Sequence, residues 1–374
     1  MSKYLKLFET TSEYETYINS SDKVLPNVSF CEDERGMHYK PYVPHDYSQD
    51  YFTMVVTSGG NVTWAGSSSN ALSYSTDNGA TWSTASSSIT LPVNEGDEVL
   101  WKGTTTPIQD MGIGKFSGGT DVRYSVEGNA MSLLFGDNFK GQTSLEGKNY
   151  AFNDLFYSNK SITSAENLSL PATTLAQNCC FNMFCGCTSL TTAPELPATT
   201  LAQYCYYQMF KGCTSLTTAP ELPATTLAQS CYQGMFQGCT NLTTTPELPA
   251  TTLAYQCYGE MFYGCTSLTT APELPATELA QYCYGNMFRN CSSLTTAPEL
   301  PATTLPQSCY RWMFNGCTSL NSIKCLATNI SAKYCTSSWV DGVAASGTFT
   351  KAASMTSWTT GTSGIPSNWT VVDA

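Results

Sequence analysis

The sequence predicts a mixed α+β chain. A small N-terminal α+β module leads into an antiparallel β-sandwich-like domain, and a long solenoid of one short strand plus one short helix per coil follows. Three observations predict it. A 26-residue unit begins at Leu170 and recurs at Leu196, Leu222, Leu248, Leu274 and Leu300 without insertion, and a fixed period of this size marks a solenoid. Residues 50–145 are rich in Thr, Ser, Gly and Val, broken by Gly-Gly, Asn-Gly and Glu-Gly turns, as in antiparallel sheets. The first residues join strand patterns to a helix start signal. The boundaries fall at 1–45, 50–145, 146–345 and 346–374, the last a C-terminal β cap.

In residues 1–45, Tyr4–Phe8 reads as a strand, Ser12-Glu-Tyr-Glu15 as a capping box opening a short helix, and Asn27–Phe30 with Met37–Tyr42 as a strand pair. In the second segment, Ser75-Thr-Asp-Asn-Gly-Ala-Thr-Trp82 reads as a hairpin. Asp77 can accept backbone amides of its own turn while Trp82 packs beneath. Strands follow near Ser88–Leu91, Glu98–Lys102 and Val122–Val126.

A single 26-residue unit has too few large apolar side chains to offset the ordering of its own backbone, so neighbours must stack to make a core. Its middle reads as helix. In the unit from Leu196, the constant Cys205, Tyr206, Met209, Phe210 and Cys213 trace one face, and the varying Tyr204, Tyr207, Gln208 and Lys211 trace the other. Gly212 sits where a helix would end. Leu216–Ala219 reads as a brief strand stopped by Pro220. The units decay at both ends, as capping repeats do. Gly347–Thr350 and Asn368–Val372 read as closing strands.

The net charge of −12 argues against nucleic acid, which needs clustered Lys and Arg. No apolar run is long enough to span a bilayer, so no membrane insertion is expected. Nor does the N-terminus have the apolar run and small-residue cleavage site of a secretory signal. The only histidines are His38 and His45, and no catalytic or phosphate-binding motif is present. A non-enzymatic protein without cofactor or metal is expected. Sixteen of the seventeen cysteines lie in the repeat half, most in two columns through Cys205 and Cys213. They read as small buried hydrophobes, not disulfides or zinc ligands. The column Glu195, Glu221, Glu247, Glu273 and Glu299 reads as a solvated edge.

The varying face is the candidate binding surface. Tyr204, Tyr207, Lys211, Tyr263, Tyr282, Arg289, Arg311 and Trp312 are its aromatic and cationic members, the residue types that contact surfaces use. Drift at exposed positions explains the same variation equally well.

The repeated Leu-Pro, Met-Phe and Gly-Cys-Thr-Ser-Leu elements resemble the BspA-type leucine-rich repeats of Bacteroidetes over roughly residues 150–342. The run at Ser75–Trp82 is similar to an Asp-box, a structural hairpin that implies no activity. The opening Lys-Leu-Phe-Glu-Thr with Pro-Asn-Val-Ser resembles the N-termini of virion proteins of Bacteroides phages, crAss-like phages included. That resemblance implies a non-enzymatic virion appendage, made in a host cytoplasm and released by lysis. Residues 1–45 would dock on a capsid or tail protein, and the solenoid would bind a host-surface glycan or protein. Analogy with phage fibres suggests a homotrimer. The alternative is a BspA-like adhesin on a bacterial cell surface.

Overall fold

The computed structural model describes residues 28–33, 36–41, 45–66, 70–109 and 111–374. The chain divides into two units, Met1–Asp46 and Tyr47–Ala374. In the first, β1 (Val28–Asp33) pairs antiparallel with β2 (Gly36–Pro41). The strand expected at Tyr4–Phe8 and the helix expected at Ser12 lie outside the described residues.

The second unit opens with β3 (Phe52–Ser58), β4 (Gly60–Ala65), β5 (Leu72–Ser75), β6 (Ser83–Ala85), β7 (Ser88–Val93), β8 (Glu98–Lys102), β9 (Lys115–Gly118) and β10 (Arg123–Asn129). Strand β3 lies between β10 and β8, β5 and β6 extend the sheet beyond β8, and β7-β4-β9 form a second sheet. Alternation sets the inner faces: Val62 and Trp64 on β4 and Tyr124 and Val126 on β10 are fully buried. The sheets share an aromatic core, in which Phe116 on β9 meets Trp64 at 4.5 Å, Trp101 at 5.0 Å and Phe52 at 5.5 Å between ring centres.

Strand β10 also carries the chain into the repeats. Its other edge pairs in parallel with β11 (Ile162–Ser164) and β12 (Leu168–Ser169). Phe116 stacks on Phe156 at 5.9 Å, and Phe156 on Phe184 at 5.1 Å. One core therefore runs unbroken from the β sheets into the first coils.

The repeats correct the expected fold class. Strand makes up 24% of the chain and helix 3%, so the protein is mostly β, and the curved strand-plus-helix solenoid does not form. Among the described residues the longest helical segment is α1 (Ser132–Phe135), with a 3-10 turn continuing it over Gly136–Asn138. Where a helix was expected in each coil, the backbone makes a ladder of turns. Every fourth residue is left-handed: Asn178, Asn182 and Gly186 in one coil, Tyr204, Gln208 and Gly212 in the next. At the first two of these three positions φ lies between +49° and +63° in every coil. No right-handed helix passes through such residues.

The hydrogen bonds show what replaces it. The N–H groups of Cys179, Phe181, Met183 and Cys185 close turns on carbonyls three residues earlier. Those of Asn178, Cys180, Asn182, Phe184 and Gly186 reach the next coil, onto Gln203, Cys205, Tyr207, Met209 and Lys211 at 2.7–3.1 Å. Successive peptides thus alternate between holding their own coil and binding its neighbour. The strand expected at Leu216–Ala219 shrinks to a single parallel bridge from Thr218 to Thr244.

Stacking places identical side chains above one another. Phe184, Phe210, Phe236, Phe262, Phe288 and Phe314 are all fully buried, with rings 5.5–5.8 Å apart. A parallel tyrosine column runs through Tyr206, Tyr232, Tyr258, Tyr284 and Tyr310 at 5.9–6.1 Å. Trp339 ends both columns, packing on Tyr310 and Phe314, and its indole N–H donates to the Gly364 carbonyl at 2.8 Å. Beyond it, β13 (Ser322–Cys325), β14 (Thr348–Lys351) and β15 (Thr370–Asp373) form a parallel sheet that closes this end.

Candidate functional site

In the coil of Leu196 the constant and varying positions separate through turns and not a helix, whereas in other coils varying members such as Asn178, Ser230, Gln233 and Ser308 are buried. Cys205, Tyr206, Met209, Phe210 and Cys213 are buried, whereas Tyr204, Tyr207, Gln208 and Lys211 are partly exposed on the outer side of the ladder. Two of the four varying columns, those of Tyr204 and Gln208, are the left-handed positions. Variation there is filtered by backbone strain, which Asn and Gly relieve. Asn178, Asn182, Gly234 and Asn286 fit that preference, whereas the other eight left-handed members of these columns in the six coils, Tyr204 and Trp312 among them, do not.

The eight candidate residues fall into separate groups. Tyr207 stacks on Phe181 at 4.6 Å and meets Tyr204 edge-on at 5.7 Å. Burial raises the Tyr207 phenol above its ordinary range. Tyr282 lies edge-on to the exposed Tyr255 at 5.7 Å. Lys211 sits in the column of Cys185, whose thiol is pushed up by burial against the pull of that lysine.

The other four candidates come together. The Arg289 guanidinium lies 5.6 Å from the Tyr263 ring centre and 5.2 Å from that of Trp312. Arg311 covers Trp312 at 3.8 Å and approaches Tyr334 at 5.8 Å. Lys333 reaches Tyr334 at 4.7 Å. Rings and cations alternate along the face within cation–π range. Sequence reasoning missed Tyr334 and Lys333, because the last coil departs from the consensus; a 26-residue offset from Ser308 and Gln307 locates them.

The cysteines have a structural explanation. Each thiol of the second column donates to a carbonyl of the preceding coil, Cys213 to Phe184 and Cys239 to Phe210 at 3.1 Å. Burial raises Cys213 and raises Cys239 to about 12, so neither is a ready nucleophile. All sixteen described cysteines are free, and only Cys185 is not buried. Among the described residues no group of three or more His, Cys, Asp or Glu could hold a metal ion. None of the described helices is long and apolar enough to cross a membrane.

At a different corner of the coils, Ala193, Pro194, Pro197, Ala219 and Pro223 line an apolar groove of ≈ 400 Å³. The glutamate column borders it, and of its five members only Glu299 forms an ion pair among the described residues, with Lys324 at 2.9 Å. In the β sheets, Asp77 accepts from Thr81 N–H at 2.8 Å, Thr81 hydroxyl at 2.6 Å and Ser75 hydroxyl at 2.7 Å. These bonds, led by the Thr81 hydroxyl, lower its carboxyl to about 2. Trp82 packs edge-on against Tyr51 at 5.1 Å, and the Lys102 ammonium lies 4.0 Å above the indole. Asp137 accepts from both Lys102 and Tyr51 and is lowered by these bonds, the lysine's first.

Stacked near-identical coils, buried thiols and an outer face that varies coil by coil define a repeat protein, an architecture that generally mediates protein or surface interactions. Six copies of the BspA type leucine rich repeat region match residues 149–295 and 255–351, and the chain belongs to that family. No curated protein and no solved structure matches it.

Proposed function

We propose that this protein recognises a cell surface through the outer face of its turn ladder, as an appendage of a phage particle. One observation carries the reading: Tyr, Trp and Arg collect on the face that varies, while every other column of the coil is held nearly constant. Rigid aromatic and guanidinium groups give large contact area at low entropic cost. The fixed turns hold them without the freedom of a loop. The ligand is a host-surface glycan or protein. The phage context draws support from the resemblance of the first 45 residues to virion N-termini, and that segment supplies the docking to capsid or tail.

The test is binding of the labelled full chain to intact Bacteroidales cells. Replacing Tyr204, Tyr207, Tyr263 and Trp312 together by Ala is expected to abolish binding while circular dichroism stays unchanged. Undiminished binding by that folded variant overturns the assignment to this face. Absence of the protein from purified phage particles overturns the appendage role.

A further inference from the structure

Resting on the reading of the outer turn face as the contact surface, we infer that its C-terminal part, from Tyr263 to Tyr334, takes an acidic saccharide whose carboxylate meets Arg289 and Arg311. Charge is the first ground. The repeat stack holds seven cations, Lys148, Lys160, Lys211, Arg289, Arg311, Lys324 and Lys333. Arg289, Arg311 and Lys333 crowd this one stretch through contacts with Trp312 and Tyr334. The carboxylates on the same face are Glu260, in the coil of Tyr263, and Asp341, which is tied to the Asn315 amide at 3.4 Å. Among the described residues neither arginine forms an ion pair, and the glutamate column lies at another corner of the coils. In a chain of net charge −12 this is a local cationic site.

The arginines are also held in place. Each guanidinium lies against a ring, and each Nε–H is buried without a partner. The Arg289 Nη1 donates one weak bond, to the side-chain Oδ1 of Asn286 at 3.4 Å. Planar guanidinium ends fixed against aromatic faces are suited to forked pairing with a carboxylate. The interleaved rings of Tyr263, Trp312 and Tyr334 offer flat apolar faces between the charges, onto which the C–H face of a pyranose can lie.

The backbone decides between a sugar and an acidic peptide. Every N–H from Tyr282 to Cys291 and from Ser308 to Cys317 is bonded within its coil or to the next. No open ladder remains on this face for an extended peptide to join. Recognition must come from side chains, which favours a ligand read by ring faces and charge.

The full chain is titrated calorimetrically with a glucuronate-containing tetrasaccharide, its methyl ester and an uncharged tetrasaccharide. The acid is expected to bind at least roughly tenfold more tightly than the ester, as loss of a charge-assisted pair implies. The double variant Arg289→Gln/Arg311→Gln is expected to lose that preference. A Lys160→Gln variant, which removes an exposed cation of the stack away from this stretch, is expected to keep it. Equal binding of acid and ester, no binding of any saccharide, or equally tight binding of an oligoglutamate peptide overturns the inference. Cell binding by the wild-type chain in the presence of excess acid probe separates the two readings. If cells still bind and the saccharides do not, the surface-recognition reading stands and the acidic ligand falls. If neither binds, both fall.

Discussion

Replacing Glu260 by glycine distinguishes the turn ladder from a helix by the sign of the effect. Glu260 has φ +59°, and its N–H reaches the Gly285 carbonyl of the next coil at 2.8 Å. A left-handed non-glycine residue is strained by about 1–2 kcal/mol. Glycine removes that strain but costs about 0.5–1 kcal/mol more backbone entropy on folding. The balance is a gain of about 0–1.5 kcal/mol, centred near 0.75, for Glu260→Gly over Glu260→Ala. In a helix interior the same exchange loses about 1 kcal/mol. Gln208, at φ +51° two coils away, offers an independent repetition. The two gains should add, because such separated sites rarely couple. Urea unfolding of the four single variants, followed by far-ultraviolet circular dichroism, gives the midpoints. Glycine variants less stable than their alanine partners at both sites would refute the left-handed backbone, and with it the turn ladder.

Three further outcomes follow from the same geometry. Phe236→Ala, in the middle of the phenylalanine column, removes a fully buried ring between Phe210 and Phe262 and is expected to cost about 3–5 kcal/mol in urea unfolding. Brief alkylation of the native protein, mapped by peptide mass spectrometry, should label Cys185 and spare the other fifteen cysteines of the repeat half, which are buried. Asp77 ionises more readily in the folded hairpin than its ordinary value of 3.8, at about 2, so its stabilising bonds are fully present above 3.8 and are lost as pH falls towards 2. Protection of the Thr81 amide against hydrogen exchange, relative to its intrinsic rate at each pH, should fall across that window, and this pH dependence should vanish in Asp77→Asn.

Much of the inside of the coil was legible in the sequence, and its backbone was not. Cys205, Tyr206, Met209, Phe210 and Cys213 point inward whether the chain turns every 3.6 residues or every four, because at either period these five positions stay within one half of the circumference. The distinguishing signal was the third member of each left-handed triplet and the residues four and eight before it. Gly186 follows Asn182 and Asn178, and Asn290 follows Asn286, all types that accept positive φ. Tyr204, Tyr282 and Trp312 occupy equivalent places and carry no such mark, because the neighbouring coil, not the residue, enforces the conformation there. The β strands near Ser88, Glu98 and Val122 were readable from alternation and turns, since they depend on local pattern. Which candidates would meet was not readable. Arg289 and Trp312 are neighbours only because the columns they occupy lie beside one another in successive coils.

The alternation of in-coil and between-coil hydrogen bonds gives each coil the same upper and lower surface. A coil can be excised or duplicated in the gene as a block of 26 codons, and the new junction presents the same donors to the same acceptors. The length of the outer face, and the distance between its two aromatic groups, can therefore change in whole rungs, while Trp339 at one end and β10 at the other remain as they are.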